Sequence, residues 1–406
     1  MAGKRRERLF HLSLRGLDTN LLVVLFFIMI FGFIMIYSAS YYTAGLSKVY
    51  KNDPMYLLKS QVIYSMLGLA AMFVVSCVNY HFWSILVLPG YAFCCVLVLL
   101  LKVPSLGVTV KGATRWLRIG SLQFQVAEPI KLIMIVFMAT LIVVRGRKLR
   151  SWLSMFRMIL PSAVVAALIL YISDNMSTAA ILLGTAVFMV YVVHPEQWKF
   201  FVCAAGVAAL VAVVLYYVRN LDPADVAGIN FRLVRIRAWL FPYEYEQDKA
   251  YQALQGLYAI GSGGLWGKGL GNSIQKLGKI PEPFNDYIFA IICEELGIFG
   301  AGLIILLFIY LLYRIYTVSQ TAYDLLGRML SIGVMSHIAL QVILNLMVVT
   351  NLFPTTGVTL PFFSYGGTAS VFLLIEIGLV LNVNKYSVER RLEDRRERNA
   401  GYGSDF

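Results

Sequence analysis

The chain has 406 residues, 59% of them apolar or aromatic and only 14% charged, with a mean hydropathy of +0.73; soluble domains run at roughly 45 to 50% apolar, so an ordinary soluble enzyme is excluded. The net charge of +13, from 35 Lys and Arg against 22 Asp and Glu, falls mostly between apolar runs, which argues for membrane lipids and against nucleic acid as the partner. Five cysteines without CxxC spacing and four scattered histidines predict neither a disulfide framework nor a metal cluster.

A hydrocarbon core about 30 Å thick needs about 20 mainly apolar residues per helix. On that template the chain reads as an all-α integral membrane protein with ten transmembrane helices, near 20–42, 61–78, 84–101, 129–144, 158–173, 177–193, 201–218, 288–313, 329–350 and 366–383. Ser173 to Met176 joins the fifth and sixth spans into a tight hairpin. The first span follows Lys4, Arg5, Arg6, Arg8 and Arg15 and is too long for a signal peptide, so it reads as a retained anchor.

A cytoplasmic N-terminus places Arg145, Arg147, Lys148, Arg150 and Arg157 inside, together with Lys385, Arg390, Arg391, Arg395, Arg396 and Arg398 after the tenth span. That agrees with the positive-inside rule and puts both termini in the cytoplasm. Residues 1–383 form one polytopic domain, and the charged tail 384–406 is expected to be a short helix that frays. The large extracellular loop 219–287, between the seventh and eighth spans, carries eight basic residues. It is either a solvated surface facing anionic headgroups or a site for a phosphorylated membrane-associated substrate. The two halves share no pair of broken helices, against an inverted-repeat transporter.

Glycines crowd the stretch Gly256 to Gly278, as where a backbone must turn tightly or approach a ligand closely. A nucleotide phosphate loop is excluded, because Ser262 stands where its first Gly belongs and Gly269 follows Lys268. Two readings stay open: backbone N–H groups with Lys268, Lys276 and Lys279 holding an anion such as a diphosphate, or a flexible re-entrant loop. Asp286 stands at the membrane boundary, either as a general base or as the cap of the following helix. Glu294 and Glu295 either pair with loop cations or lie at headgroup level.

Arg115, Trp116, Arg118, Gln123, Gln125, Glu128 and Lys131 form a second polar cluster. Glu128 and Lys131 share a helix face, as a buried salt bridge or as the floor of a headgroup site. Gln341 and Asn345, four apart, are expected to hydrogen-bond to adjacent helices. Glu376 is an intramembrane ionisable group with either a functional or a structural partner, and His337 is expected to face the bundle interior.

Taken together, Arg115 to Gly120 (RWLRIG), Gln125 to Lys131 (QVAEPIK), Gly261 to Gly271 with Ser273, Gln275 and Lys276, Pro281 with Glu282, Asp286, Glu294 to Gly297 and Pro354 to Gly367 (PTTGVTLPFFSYGG) resemble the SEDS family, the FtsW/RodA/SpoVE group of cell-envelope proteins. The resemblance implies a peptidoglycan glycosyltransferase that joins lipid II units into glycan strands at the outer face of the plasma membrane, releasing undecaprenyl diphosphate. Asp286 falls on the family's catalytic aspartate. Arg115, Trp116, Glu128 and Lys131 match its polar cavity, and Lys268, Gln275 and Lys276 its large loop, all as substrate-binding residues.

The resemblance also implies a class B penicillin-binding protein as transpeptidase partner and a place among divisome proteins. Pro354 to Gly357 and Asn175 to Thr178 look more like the division-type branch than the elongation type. The chain departs from the family at Ser173 to Thr178, at Asn285, where Thr is common, and at Val126-Ala127, where Pro-Ser is usual. The sequence requires no cofactor and assigns no metal ligands; one carboxylate beside lysines is a poor divalent-cation cage, although a cation beside Asp286 is left open. The rival expectations are a lipid II transporter with Glu376 and His337 on its path, and a non-catalytic scaffold in which Asp286 only caps a helix.

Overall fold

The computed structural model describes residues 16–110, 112–120, 122–146, 150–221, 231–248 and 250–402. Lys4, Arg5, Arg6, Arg8, Arg15, Arg147 and Lys148, on which the orientation argument partly rests, lie outside the described residues. In chain order come α1 (Thr19–Leu46), α2 (Tyr56–Cys77), α3 (His81–Ile85), α4 (Val87–Leu100), β1 (Gly107–Val110), β2 (Ala113–Ile119) and β3 (Leu122–Gln125). There follow α5 (Ala127–Arg145), α6 (Trp152–Ser173), α7 (Met176–Val193), α8 (Trp198–Asn220), α9 (Phe231–Leu240), α10 (Tyr251–Gly263), α11 (Ile288–Thr321), α12 (Leu325–Val349) and α13 (Gly367–Tyr402).

Among the described residues nine of these helices are long and apolar enough to cross a membrane. The remaining expected span, 84–101, is divided into two helices, which lead from Tyr80 at one end of the bundle to the sheet at the other. There the chain forms α3 and a 14-residue α4, about 21 Å long at 1.5 Å per residue against a core of about 30 Å. Pro89 has no N–H for the Ile85 carbonyl, so one bond of the helical ladder is missing where α3 gives way to α4. Beside the helices lies one small antiparallel sheet, β1-β2-β3, which pairs Gly107 with Leu117 and Trp116 with Gln125. Val108, Thr109, Thr114 and Ile119 favour strands, and Gly112 and Gly120 supply positive φ at the turns.

The long loop 219–287 is partly helical, holding α9 and α10. The tail is helical as far as it is described: α13 runs for 36 residues, and 384–400 is rich in Arg and Glu with no Gly or Pro. It is also tied down, by Asn384 donating to the Gly16 carbonyl at 2.8 Å and by Ser387 Oγ accepting from the Tyr323 N–H at 2.9 Å.

Burial follows helical periodicity. α1 buries Leu21, Leu25, Ile28 and Ile36 and leaves Phe26, Phe27, Ile30 and Ile34 exposed, an apolar face suited to hydrocarbon. α2 and α13 approach closely at Gly68, against Val371 and Leu374, and at Gly378, against the Met72 carbonyl. One end of the bundle gathers Gly16, Tyr80, Asp324 and Asn382. The other carries the sheet, α9, α10 and Asp286.

Candidate active site

Asp286 lies two residues before α11, on a segment anchored by the buried side chains of Phe284 and Tyr287. The N-cap position belongs to Tyr287 and carries no side-chain capping bond, so Asp286 is not the helix cap. Its Oδ1 accepts from Gln252 Nε2 at 3.3 Å, and that amide also reaches the Pro281 carbonyl at 3.2 Å. Its backbone carbonyl accepts from Asn345 Nδ2 at 2.8 Å. Oδ2 faces Gly357, whose φ of +70° suits glycine and where an added Cβ would sit 3.9 Å from the carboxylate. Three separate elements, α10, α12 and the 354–366 segment, thus converge on one acid at the end of the bundle.

The glycine-rich loop is built for a different contact than a substrate anion. Gly267 and Gly297, both at positive φ, bring two backbones together: a Cβ at Gly267 would run into the Glu295 carbonyl. In that contact Lys268 N–H donates to Glu294 O and Gly269 N–H to Glu295 O, both at 2.9 Å. Three further loop N–H groups, those of Ser273, Ile274 and Gln275, do hold carboxylates, and these are the protein's own. Glu294 accepts from the N–H groups of Ile274 and Gln275 at 3.2 Å each and from the Ser273 hydroxyl.

The lysines complete the same internal cluster. Lys268 Nζ lies 2.7 Å from Glu294 Oε1, and Lys276 Nζ 2.6 Å from Glu295 Oε1 and 2.9 Å from Ser38 Oγ of α1. Both glutamates are fully buried, so each carries the cation it needs to offset desolvation. Gln275 is also buried. The structure therefore gathers Lys268, Gln275 and Lys276 around α11, while Lys279 is exposed.

Arg115 and Trp116 lie on β2, with Trp116 opposite Gln125 of β3. The Arg115 guanidinium grips the α6–α7 turn, donating from Nε to Ser173 O at 3.3 Å and from Nη2 to Asp174 O at 2.9 Å. Burial and then the nearby Arg235 of α9 hold its pKa below the ordinary arginine value, and Asp174 opposes the shift. Burial lowers Arg235 likewise, again against Asp174. Two guanidinium groups and one carboxylate thus influence one another electrostatically at this turn. Just beyond this turn, Ser177 Oγ of α7 donates at 3.1 Å to the carbonyl of Thr356, the residue before Gly357.

Below this end lies a buried network. Lys131 Nζ sits 3.0 Å from Glu128 Oε2 and 3.2 Å from Gln341 Oε1, and Gln341 Nε2 reaches Thr359 O at 3.1 Å. His337 contacts Gln341 at 3.0 Å and Glu376 at 2.8 Å. Groups taken one by one in the sequence form a single chain across α5, α12 and α13 that ends on the 354–366 segment. Sequence reasoning missed Gln252, whose one signal is its polar place in the glycine-punctuated helix YQALQGL, and counted Arg235 only as loop charge. Among the described residues no group of three or more His, Cys, Asp or Glu side chains gathers to hold a metal ion.

The family described as "Cell cycle protein", the FtsW/RodA/SpoVE family, matches residues 18–389. The chain is 35% identical over 372 residues to stage V sporulation protein E of Bacillus subtilis, covering 91% of this chain and 97% of that one. It is 33% identical over 378 residues to a probable peptidoglycan glycosyltransferase FtsW of Thioalkalivibrio sulfidiphilus, covering 92% and 90%. Among solved structures it resembles a chain of a complex described as "Structural coordination of polymerization and crosslinking by a peptidoglycan synthase complex", with a TM-score of 0.74 at 25% identity over 92% of this chain and 98% of that one. It also resembles the rod shape determining protein RodA of Thermus thermophilus, with a TM-score of 0.62 at 25% identity over 91% and 97%. With a match across nearly its whole length and a fold shared with solved relatives, the chain belongs to the FtsW/RodA/SpoVE family.

Proposed function

We propose that the chain is a peptidoglycan glycosyltransferase that polymerises lipid II at the outer membrane boundary, with Asp286 as general base. The observation that carries this reading is one acid held by two hydrogen bonds, from Gln252 to its Oδ1 and from Asn345 to its backbone carbonyl, and facing Gly357 at the end of a membrane bundle. A base held this way is aimed before substrate arrives.

In the reaction, Asp286 takes the proton of a sugar 4-hydroxyl as that oxygen attacks the anomeric carbon of a second lipid-linked unit. The new O4–C1 bond forms as the bond from C1 to the diphosphate oxygen breaks, and undecaprenyl diphosphate leaves with the electron pair. Arg115 and Arg235 are the cations suited to that developing charge, since a guanidinium presents a planar fork to phosphate oxygens. Trp116 lines the same end. Lys268, Gln275 and Lys276 shape the loop through Glu294 and Glu295, and Glu128 with Lys131 supports the 354–366 segment from beneath.

The remaining expectations form part of the same proposal: the Asp286 end faces outward from the plasma (inner) membrane, both termini are cytoplasmic, a class B penicillin-binding protein supplies the crosslinking, and the role is septal, with divisome proteins. The motif Pro354 to Gly357 and the relatives named FtsW support the septal role. Rescue of a strain depleted of its division polymerase, against one depleted of its elongation polymerase, tests it; rescue of the latter alone assigns the elongation role.

A lipid II transporter is the second reading, favoured by the buried Glu376–His337 pair. Liposome flipping of lipid II that is lost in Glu376→Gln and kept in Asp286→Asn supports transport. Glycan strands made from lipid II by wild type, with flipping absent, support polymerisation.

A further inference from the structure

Asn345 is fully buried in α12, four residues after Gln341. Its Nδ2 donates to two backbone carbonyls from distant parts of the chain, Asp286 O at 2.8 Å and Val358 O at 2.7 Å. A primary amide has two N–H donors, so the whole donor capacity of this side chain is used to tie the acid-bearing segment to the segment that carries Gly357. Aspartate offers at most one proton and leucine none, so among side chains of this size only the amide makes both bonds.

We propose that Asn345 is a positioning residue for the reaction at Asp286: it fixes the distance between the acid and the facing Gly357 wall, so that the base meets the hydroxyl in reacting geometry. The proposal rests on the reading of Asp286 as the base. Two other bonds hold the same segments without touching Asp286. Gln341 Nε2 donates to Thr359 O at 3.1 Å, and the Tyr365 N–H to Phe284 O at 2.8 Å. They keep the 354–366 segment docked when Asn345 is replaced. What Asn345 adds is the bond to the Asp286 backbone itself, and its loss falls on the aim of the carboxylate more than on the fold. Misplacement by about 1 Å is enough to lower a rate about 100-fold.

The test compares wild type, Asn345→Leu and Asn345→Ala with Val342→Ala, a buried truncation on the same helix, and with Asp286→Asn. Each full-length chain is assayed in lipid nanodiscs with its cognate penicillin-binding protein, and initial rates on lipid II are normalised to the folded fraction from a melting curve. The expected result for both Asn345 variants is kcat about 10- to 100-fold lower with KM within about twofold, while Val342→Ala shows the wild-type kcat per folded molecule. Wild-type kcat in Asn345→Leu, or a change in KM with kcat kept, overturns the positioning role. With Asp286→Asn inactive, such a result overturns this proposal alone; wild-type turnover in Asp286→Asn overturns the base reading and the positioning role together.

Discussion

Lys276 of the loop and Glu295 of α11 form a buried ion pair, Nζ to Oε1 at 2.6 Å, with Ser38 of α1 hydrogen-bonded to both partners. The pair ties three elements together below the candidate site. Removing one partner leaves an unpaired charge in a dry interior, which costs about 3–5 kcal/mol. Lys276→Met is therefore expected to lower the melting temperature of the detergent-purified chain and to open the loop to proteolysis. Joining it with Glu295→Leu is expected to restore most of that loss. Equal damage from the single and double variants would place the effect elsewhere than in the charge.

Gly267 makes a second prediction from the same seam. An alanine there meets the Glu295 carbonyl while holding a φ of +78°, so Gly267→Ala is expected to undock the 264–279 loop and lower polymerisation at least tenfold. Gly112→Ala, with φ +79° and open space around its Cβ, bears only the backbone strain of about 1 kcal/mol. Similar proteolytic patterns for the two variants would contradict the close-approach argument.

At the opposite end of the bundle, Asp324 caps α12 and accepts from the Gly327 N–H, Tyr80 and His81. Burial pushes its carboxyl upward, but these hydrogen bonds together outweigh burial and hold it below the usual 3.8. A carboxyl depressed by folding stabilises the protein above its unfolded pKa, and that contribution fades as pH falls through the folded value. Thermal stability is therefore expected to be flat from pH 7 to 5 with respect to this group and to fall below about pH 4. Asp324→Asn is expected to melt earlier at neutral pH and to show a shallower acid decline; an unchanged acid slope would remove Asp324 from the account.

The long apolar runs were legible because hydrocarbon burial selects composition directly, and nine of the expected spans emerge as helices of spanning length. The α3–α4 break was not, since Pro89 sits inside an apolar run where hydropathy is blind to a missing N–H. The sheet at 107–125 escaped notice because its outer strands are only four residues long. At the site, Asp286, Arg115 and Glu128 with Lys131 stood out as charges in apolar surroundings. Their linkage through Asn345, Gln252 and Ser38 depends on contacts between residues far apart in sequence. The glycine loop illustrates the limit: the sequence leaves Glu294 and Glu295 either paired with loop cations or at headgroup level, and only the fold selects the pairing with Lys268 and Lys276.

The central claim is that Asp286 performs the proton transfer. The direct measurement is the initial rate of glycan-strand synthesis from purified lipid II by the full-length chain with its cognate penicillin-binding protein, comparing wild type with Asp286→Asn. The variant keeps the size of the side chain and loses its basicity. The account predicts a rate at least about 100-fold lower with an unchanged melting temperature; strands of wild-type length made at the wild-type rate would contradict it.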